Sequence, residues 1–341
     1  MRTEDRASTE PVIVEVSGPV GHLILNRPKA INALTAEMVT IMRRALAEWA
    51  ESAQVRTVLI SGAGERGLCA GGDIRAIHAD AVSGGTASLD FWADEYRLNA
   101  TVATYPKPIV ALMDGLVMGG GIGISAHASV RVVTERSRLA MPEVGIGMHP
   151  DVGGSWLLSH APGELGTHLA LTGSPVGAAD AIAAGLADHY VPAAELTRLI
   201  EAPDLVEALA TTPPPGEFGA AREWIDACYT GDSVSEIVAR LAAHPAPGAQ
   251  AAAKEIATRS PTALTITLRS LRTAAHLPDL RAALDQELRL SAAMLRLPDL
   301  AEGIRAQIID KDRNPRWRPP TLAEVSPGLI DACFAKPAYG S

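Results

Sequence analysis

Hydrophobic positions in the first half of the chain recur with two spacings, one of two residues and one close to a helical turn. Residues 11–16 and 22–26 alternate or run apolar on either side of Gly18, as the strands of a short antiparallel hairpin do. Thr35 can cap a helix running to about residue 53, in which large apolar side chains recur at helical spacing. The pattern also predicts buried strands at residues 58–60, 108–112 and 130–134 and helices at residues 90–105 and 120–128. This alternation predicts an α/β core whose ligands bind beyond the carboxyl ends of the strands.

The character of the chain changes after residue 192. Proline-rich breaks lie at residues 213–216 and 244–248, and no strand alternation appears. Helical spacing is found instead, at residues 233–243, 249–258, 263–275 and 278–295. A chain of 341 residues is also long for one compact domain. We therefore predict a catalytic core at residues 1–195 and a mostly helical region at residues 196–341 that packs against it.

Composition and charge narrow the class of protein. The net charge of −9 and the pI near 5.5 argue against general binding to nucleic acid or to acidic membranes. No apolar run approaches the length of about eighteen residues that a membrane span needs. Cys69, Cys228 and Cys333 are an odd number without paired spacing, which indicates a reducing compartment and no zinc site. Because the N-terminus is also acidic and lacks an apolar signal segment, the sequence predicts a cytoplasmic protein.

Two glycine clusters follow predicted strands and precede predicted helices. The first is Gly71-Gly72, after the strand at residues 58–60, and the second is Gly119-Gly120-Gly121, after the strand at residues 108–112. Glycine leaves the backbone N–H groups open to a ligand, and the start of a helix adds partial positive charge there. The first cluster alone could equally be an ordinary turn with Asp73 as a helix cap. Together the two junctions predict an oxyanion site to which each contributes one N–H.

Two acids stand in an apolar stretch just past the second glycine cluster. Glu143 follows Pro142, and Asp151 follows Pro150 eight residues later. Either acid alone could be a surface cap or a turn residue. Two nearby carboxylates in a poorly solvated pocket would have pKa values that are pushed apart, so that one is ionised while the other shares a proton. This pair predicts acid/base or nucleophilic chemistry beside the oxyanion site.

Two other interpretations of this region are weaker. Residues 121–126 fit a loose dinucleotide-binding pattern, but the acid expected about twenty residues later would have to be Glu143, which does not end an apolar strand. Cys69 could be a nucleophile, but no fitting histidine partner is identifiable. His149 is expected to serve packing or to lie at the surface, and no histidine pair has the spacing of a metal site on a helix.

With these residues identified, the chain resembles the crotonase (enoyl-CoA hydratase/isomerase) superfamily. Residues 25–34 (LNRPKAINAL) resemble its first motif, and residues 69–74 (CAGGDI) and 119–121 (GGG) resemble its two oxyanion loops. The resemblance implies a crotonase-like ββα superhelix core, acyl-CoA thioester substrates and no cofactor beyond the CoA of the substrate. It also implies an oxyanion hole from the N–H groups of Gly72 and Gly120. Substrate contacts are expected from Lys29, Ala70, Asp73 and Ile74.

Within this superfamily the chain resembles the 3-hydroxyisobutyryl-CoA hydrolase subgroup. The resemblance rests on residues 91–99 (FWADEYRLN), 140–143, 150–154 and the tail segments 302–306, 309–312 and 315–317. It implies that Glu143 and Asp151 are catalytic acids and that Glu95 lies at the substrate. The implied reaction is thioester hydrolysis of 3-hydroxyisobutyryl-CoA, as in valine catabolism, or of 3-hydroxypropionyl-CoA.

One departure from the hydratase pattern favours hydrolysis. Typical hydratases carry two catalytic glutamates, and the first of them corresponds to Gly123 here, so that only Glu143 remains. An isomerase that uses Glu143 alone and a non-catalytic acyl-CoA-binding protein stay open as alternatives. Lys29, Arg27 and Arg75 are the local positive charges available to CoA phosphates. The superfamily commonly forms oligomers, which makes a homo-oligomer possible, although the helical tail could cover that surface.

Overall fold

The structure is a computed structural model that describes residues 10–335. Its strands are β1 (Val12–Ser17), β2 (Val20–Leu25), β3 (Thr57–Gly62), β4 (Ile109–Met113), β5 (Leu116–Met118), β6 (Val130–Val133), β7 (Arg138–Ala140) and β8 (His189–Tyr190). Six of them form one sheet in the order β1-β2-β3-β4-β6-β8, and β5 pairs with β7 in a second, two-stranded sheet. The hairpin β1–β2 is antiparallel, and all other pairs are parallel. The hairpin and the strands predicted near residues 58, 108 and 130 are confirmed, whereas β5, β7 and β8 were not predicted.

Helices fill the rest of the fold. They are α1 (Ala36–Glu51), α2 (Ile74–Ser83), α3 (Ala87–Ala103), α4 (Gly120–Ser125), α5 (Gly154–Ser159), α6 (Leu165–Thr172), α7 (Ala178–Ala183), α8 (Leu196–Glu201), α9 (Val206–Leu209), α10 (Phe218–Cys228), α11 (Val234–Ala243), α12 (Pro247–Ile256), α13 (Pro261–Ala274), α14 (Leu280–Met294), α15 (Pro298–Ile304) and α16 (Pro327–Phe334). Thr35 caps α1, because its side chain accepts a hydrogen bond from the backbone N–H of Met38 at 3.2 Å. The predicted C-terminal helices are all present. No helix within residues 10–335 is long and apolar enough to cross a membrane.

The large sheet is buried on both faces, which explains why its strands are apolar without strict alternation. Along β3, Val58 and Ile60 point into the main hydrophobic core, while Leu59 points into a smaller one. Side chains of α8 and α9 help to close that smaller core. The main core continues without a break into α13 and α14 of the C-terminal half. The division at residue 195 stays a prediction, and the helical half shares its core with the α/β half.

The three cysteines are free and buried. Burial raises the pKa of the Cys69 thiol to about 12, so that this thiol stays protonated near neutral pH. Cys69 is therefore a core residue of the loop that follows β3, which was the favoured of its two interpretations, and not a nucleophile.

Candidate active site

The two glycine clusters meet at one end of the second sheet. Residues of the loop after β3 run alongside β5, since the N–H of Cys69 donates to the carbonyl of Leu116 at 3.2 Å. A Cβ placed on Gly71 would lie 3.4 Å from the carbonyl oxygen of Met118 and 3.8 Å from the nitrogen of Gly120. Gly71 adopts a φ of +103°, which a side chain would disfavour. The close approach of the two loops requires glycine at position 121, because a Cβ there would lie 2.4 Å from the carbonyl oxygen of Cys69.

The N–H groups predicted to form the oxyanion hole belong to Gly72 and Gly120. Within residues 10–335, neither Gly72 N nor Gly120 N has a hydrogen-bond acceptor, and Gly120 is the first residue of α4. Both glycines line a cavity of about 410 Å³. Free backbone donors facing a cavity are the arrangement that stabilises a developing oxyanion.

Three carboxyl groups share this cavity with the glycines. They are Glu95 from α3, Glu143 from the 3₁₀ turn after β7, and Asp151 from the segment before α5, and each is at least nine-tenths buried. The rest of the wall is mainly apolar, with Ile31, Ile74, Ile77, Phe91, Trp92 and Met148 among its members. Three acids in a largely apolar wall cannot all be ionised together, because each charge raises the pKa of the others.

Glu143 reaches from the turn Glu143–Ile146 toward the second glycine cluster. A Cβ on Gly119 would lie 3.0 Å from its Oε1 atom, and its Oε2 atom is buried without a hydrogen-bond partner among the described residues. Burial is the main cause that raises the pKa of Glu143 well above its ordinary value, and the charge of Asp151 adds to it. A carboxyl with an unpartnered buried oxygen beside two free N–H groups is suited to act on a bound carbonyl.

Asp151 and Glu95 reach the cavity from different elements of the fold, the segment before α5 and helix α3. The hydroxyl of Tyr96 donates to Oδ2 of Asp151 at 2.7 Å, while burial raises the pKa of Asp151 to about 6. A Cβ on Gly120 would collide with Oε1 of Glu95, which is buried and unpartnered among the described residues. Burial, with a smaller contribution from Asp151, raises the pKa of Glu95 well above its ordinary value. The charge of Asp151 thus raises the pKa of both Glu95 and Glu143.

The predicted substrate contacts divide into two groups. Ala70 and Ile74 line the cavity, as do Gly72, Gly120 and Glu95. Asp73 does not; its carboxylate pairs with Arg27 at 3.5 Å instead. Lys29 is exposed in the 3₁₀ turn Pro28–Ala30, just before the cavity residue Ile31. Neither Asp73 nor Lys29 is therefore among the residues that line the cavity, and their contacts with the substrate stay predictions.

Sequence reasoning missed Glu287, which anchors the Asp151 segment. This fully buried carboxyl of α14 accepts hydrogen bonds from the N–H of Gly153 at 2.7 Å and from the N–H of Ser155 at 2.9 Å. It also accepts from the Ser155 hydroxyl at 2.5 Å. Burial raises the pKa of Glu287 to about 8, against the opposing effect of these bonds. The available signal was a pair of polar residues four apart, Glu287 and Ser291, on an otherwise apolar helix face.

The C-terminal half also contributes a cation to the cavity. Arg259 lines its wall, and its Nη1 atom would lie 3.0 Å from a Cβ on Gly145. Its Nε and Nη2 atoms donate to the carbonyl of Thr172 at 3.0 and 2.7 Å, whereas no acceptor among the described residues bonds Nη1. Burial lowers the pKa of Arg259. Arg259 is therefore a fixed donor at the wall that sequence spacing did not reveal.

Gly123 is the position at which typical hydratases were expected to carry a glutamate. It does not line the cavity. A Cβ there would lie 2.6 Å from Cβ of Val152 and 2.8 Å from Nδ2 of Asn99. The space that a side chain would need is already filled, so the fold leaves no room for a second carboxylate on α4.

Within residues 10–335 no group of three or more histidine, cysteine, aspartate and glutamate side chains is placed to hold a metal ion. The acids of the cavity are arranged around the glycine N–H groups instead.

Comparison with known families and relatives agrees with this geometry. Residues 20–334 match the model of the family described as enoyl-CoA hydratase/isomerase. The chain is 40% identical to the mitochondrial 3-hydroxyisobutyryl-CoA hydrolase of Danio rerio, covering 95% of this chain and 89% of that protein. It is 37% identical to the protein of the same name from Homo sapiens, covering 94% and 87%.

Solved structures share the fold. A carnitinyl-CoA dehydratase from Mycobacterium thermoresistibile is 55% identical, with a TM-score of 0.93 and coverage of 96% of this chain and 97% of that one. An enoyl-CoA hydratase from Rhodobacter sphaeroides 2.4.1 is 42% identical, with a TM-score of 0.89 and coverage of 95% and 97%. The predicted crotonase-like α/β fold is thereby confirmed.

Proposed function

This chain belongs to the enoyl-CoA hydratase/isomerase family, and on that premise we propose that it hydrolyses 3-hydroxyacyl-CoA thioesters. The favoured substrate of the proposed reaction is 3-hydroxyisobutyryl-CoA, and 3-hydroxypropionyl-CoA is a second. One observation carries the proposal. Three buried carboxyls face two free glycine N–H groups, while the hydratase position on α4 is a glycine with no space for a side chain. The names of the relatives at 37–40% identity point to the same reaction.

The thioester carbonyl would accept hydrogen bonds from the N–H groups of Gly72 and Gly120. These donors are in place before substrate binds, so that they stabilise the negative charge as it develops on the oxygen without reorganising. The C–S bond would then lie between this hole and the carboxyl of Glu143. A thiolate is a good leaving group, so the chemistry requires no metal or further cofactor.

Glu143 starts the reaction in this proposal. As a carboxylate it either attacks the carbonyl carbon to form a mixed anhydride or removes a proton from the attacking water. Its high pKa makes it a strong base once ionised. Asp151 hydrogen-bonds the 3-hydroxyl of the acyl group and supplies a proton to the departing CoA thiolate. Glu95 helps to fix the same hydroxyl through its unpartnered oxygen.

The CoA end would leave the cavity past Ile31, where Lys29 is exposed. Of the three cations considered, Arg27 already pairs with Asp73, and Arg75 donates to the carbonyl of Ile308 at 3.2 Å. Lys29 has no ion-pair partner among residues 10–335. It is therefore the cation most available to a phosphate.

A second candidate reaction is hydration or isomerisation of an enoyl-CoA through Glu143 alone. The names of the two similar proteins of known structure, a carnitinyl-CoA dehydratase and an enoyl-CoA hydratase, favour it. Glycine at position 123 opposes it, since addition of water across a double bond would lack one of its two acid/base groups. A non-catalytic acyl-CoA-binding protein is the third candidate.

A single assay distinguishes these candidates. The protein is incubated with 3-hydroxyisobutyryl-CoA and, separately, with crotonyl-CoA, without metal or nucleotide. Free thiol is followed with a thiol reagent, and loss of the conjugated double bond is followed by absorbance. We expect thiol release from the hydroxyacyl thioester. Turnover of crotonyl-CoA with no thiol release would establish the hydratase/isomerase reaction, and binding without turnover of either would establish a binding protein.

The cytoplasmic location and the homo-oligomer remain proposals. The relatives from Danio rerio and Homo sapiens are named mitochondrial. Fractionation of source cells with an antibody against this chain tests the location, and light scattering of the purified protein tests the oligomeric state.

A further inference from the structure

A chain of four hydrogen bonds runs from Asp151 into the protein interior. Oδ2 of Asp151 lies 2.7 Å from the hydroxyl of Tyr96, which lies 2.9 Å from Oγ of Ser291. Oγ of Ser291 lies 3.2 Å from Nε2 of His149, and Nδ1 of His149 lies 2.9 Å from the carbonyl oxygen of Pro150. All four side chains are more than nine-tenths buried. The hydrogens of this chain therefore have few alternatives to bonding one another.

Counting hydrogens shows that this chain prefers one state of Asp151. The carbonyl of Pro150 can only accept, so we assign the single ring hydrogen of a neutral His149 to Nδ1, which makes Nε2 an acceptor toward Ser291. With Asp151 ionised, Tyr96 donates to Asp151, Ser291 donates to His149, and no hydrogen lies between the Tyr96 and Ser291 oxygens. With Asp151 protonated, every bond is filled, because each group donates to the next from Asp151 to Pro150.

We propose that Tyr96, Ser291 and His149 are positioning residues whose hydrogen-bond chain keeps the shared proton of the cavity on Asp151, leaving Glu143 free to ionise. This inference rests on the proposed function and explains how two neighbouring carboxyls acquire different roles. An unfilled contact between two buried oxygens is costly, and protonation of Asp151 removes it. None of the three residues needs to touch the substrate.

Burial favours protonated Asp151, as the hydrogen-bond chain does, whereas the hydrogen bond donated by Tyr96 favours the ionised form. Burial lowers the pKa of His149 to about 4, against the opposing effect of the backbone carbonyls of Pro150 and Glu287, so His149 is neutral near pH 7. Burial raises the pKa of Asp151 to about 6, and the hydrogen bond from Tyr96 opposes this rise because it stabilises the carboxylate. Tyr96 alone would thus make Asp151 the first to ionise. The complete hydrogen-bond chain through Ser291 favours the reverse order, in which Glu143 ionises before Asp151. Experiment can distinguish these two orders of ionisation.

Other titratable groups also face the Asp151 segment and enter any pH profile. They are Glu95 on α3, Glu143 in the turn after β7, Glu287 on α14, Arg259 before α13 and His127, whose Nε2 lies 2.9 Å from the carbonyl of Val152. Burial lowers the pKa of His127 to about 4, so that it adds no charge near pH 7. Variants must therefore be compared by the shift that each causes rather than by the absolute profile.

The proton balance of the reaction closes with Asp151 as donor. As the C–S bond breaks, its electron pair stays on sulfur, and Asp151 transfers its proton there to give the CoA thiol. Tyr96 then donates to the ionised Asp151. In the anhydride route, water gives its hydroxide to the acyl carbon and one proton to Asp151, and the bond from the acyl carbon to Glu143 breaks to release the Glu143 carboxylate. In the general-base route, the proton that Glu143 took from the water passes to Asp151, and both routes restore the filled chain.

Two substitutions should shift the pKa of Asp151 in opposite directions. Ser291→Ala removes the oxygen that faces the Tyr96 oxygen without an intervening hydrogen when Asp151 is ionised. The Asp151 carboxylate is then favoured, and the pKa of Asp151 should fall by about one unit. Tyr96→Phe removes the donor to the carboxylate, so the pKa rises. Because turnover needs protonated Asp151, the high-pH limb of the rate profile should move to lower pH in Ser291→Ala and to higher pH in Tyr96→Phe.

Infrared spectroscopy measures the same quantity without turnover. The carboxylic acid carbonyl band that disappears in Asp151→Asn reports the protonated fraction of Asp151, and its loss with rising pH should shift as the rate profiles do. Ser270→Ala is the matched control, since Ser270 is a buried serine on α13 that accepts a hydrogen bond from Gln286 outside the chain. This control should leave the Asp151 band and the profile in place.

The hydrolysis assay and the infrared band test the proposed function and the proposed role of the hydrogen-bond chain separately. If no thioester is hydrolysed but the band shifts in opposite directions in the two variants, the proposed function fails and the chain of hydrogen bonds stands. If Ser291→Ala leaves the band unmoved, or moves it in the same direction as Tyr96→Phe, the three residues have a structural role only. An Asp151 band already absent near pH 5, below its pKa of about 6, would place the shared proton on Glu143 and overturn the assignment.

Discussion

The oxyanion loops and the polar cluster behind Asp151 are built in contrasting ways. The oxyanion loops, residues 70–72 and 118–120, use backbone N–H groups and need only short glycine-containing segments. The polar cluster, consisting of Tyr96, His149, Ser155, Glu287 and Ser291, uses side chains from the first half of the chain and from α14. Backbone donors are fixed by local conformation, whereas side-chain partners depend on the packing of distant elements. On the proposals made above, the transition-state donors lie in one region and the control of protonation lies in the other.

Replacing Glu143 should have the largest effect on the rate of hydrolysis. Glu143→Gln keeps the shape of the side chain but removes the group that starts the reaction, so kcat should fall by about 10²–10⁴-fold or more. Binding of a CoA ester should survive, because Gly72 and Gly120 still hold the carbonyl. Stopped-flow or steady-state thiol release measures the first quantity, and calorimetry measures the second.

The matched variant of this test is Asp151→Asn. It should lose rate on 3-hydroxyacyl thioesters while discriminating less against plain acyl thioesters, since an amide still bonds the hydroxyl but cannot supply a proton. Normal turnover by Glu143→Gln together with an inactive Asp151→Asn would reverse the two roles and make Asp151 the nucleophile.

Removing Glu287 should disturb the polar cluster while sparing the oxyanion loops. Glu287→Ala leaves the N–H groups of Gly153 and Ser155 without their acceptor, at a cost on the order of 3 kcal/mol in the free energy of unfolding. Urea unfolding measures this cost. Asp285→Asn, at an exposed position of the same helix, is the control and should change little.

The pH dependence of unfolding sharpens the same test. The pKa of Glu287 is about 8 in the folded protein and near 4.5 in an unfolded chain, so the folded state holds a proton that the unfolded state releases between these values. Stability should therefore fall as the pH rises from about 4.5 to about 8. Glu287→Gln should show a flatter dependence across this window, and an unchanged slope would mean that Glu287 is ionised in the native protein.

The smallest effect is expected at the edge of the cavity, remote from both regions. Lys29→Ala removes one exposed charge, so KM for an acyl-CoA should rise about twofold to fivefold with kcat unchanged, because exposed ion pairs contribute little. The difference should shrink at high salt. Lys254→Ala, at an exposed position on α12, is the control, and an equal change in both variants would assign the effect to net charge.

The sequence by itself determined most of the α/β half and part of the site. The hairpin, α1 and the main strands follow from apolar spacing, because burial on one or two faces imposes that spacing on each element directly. The glycine clusters and the two proline-acid pairs are local patterns too, and the structure brings Gly72, Gly120, Glu143 and Asp151 to one cavity. Short strands such as β5 were missed, since three residues carry too little periodicity to identify a strand.

Only the tertiary structure decided which polar side chains stand behind the acids. Glu287 and Ser291 are more than 130 residues from the segment that they bond, and no spacing along the chain connects the two. The packing of α14 against α3 and α5 creates those contacts and excludes water from them. It also filled the space around Gly123 and turned Asp73 toward Arg27. The physical reason is that a pKa and a cavity wall depend on every group within a few ångströms, whatever its position in the sequence.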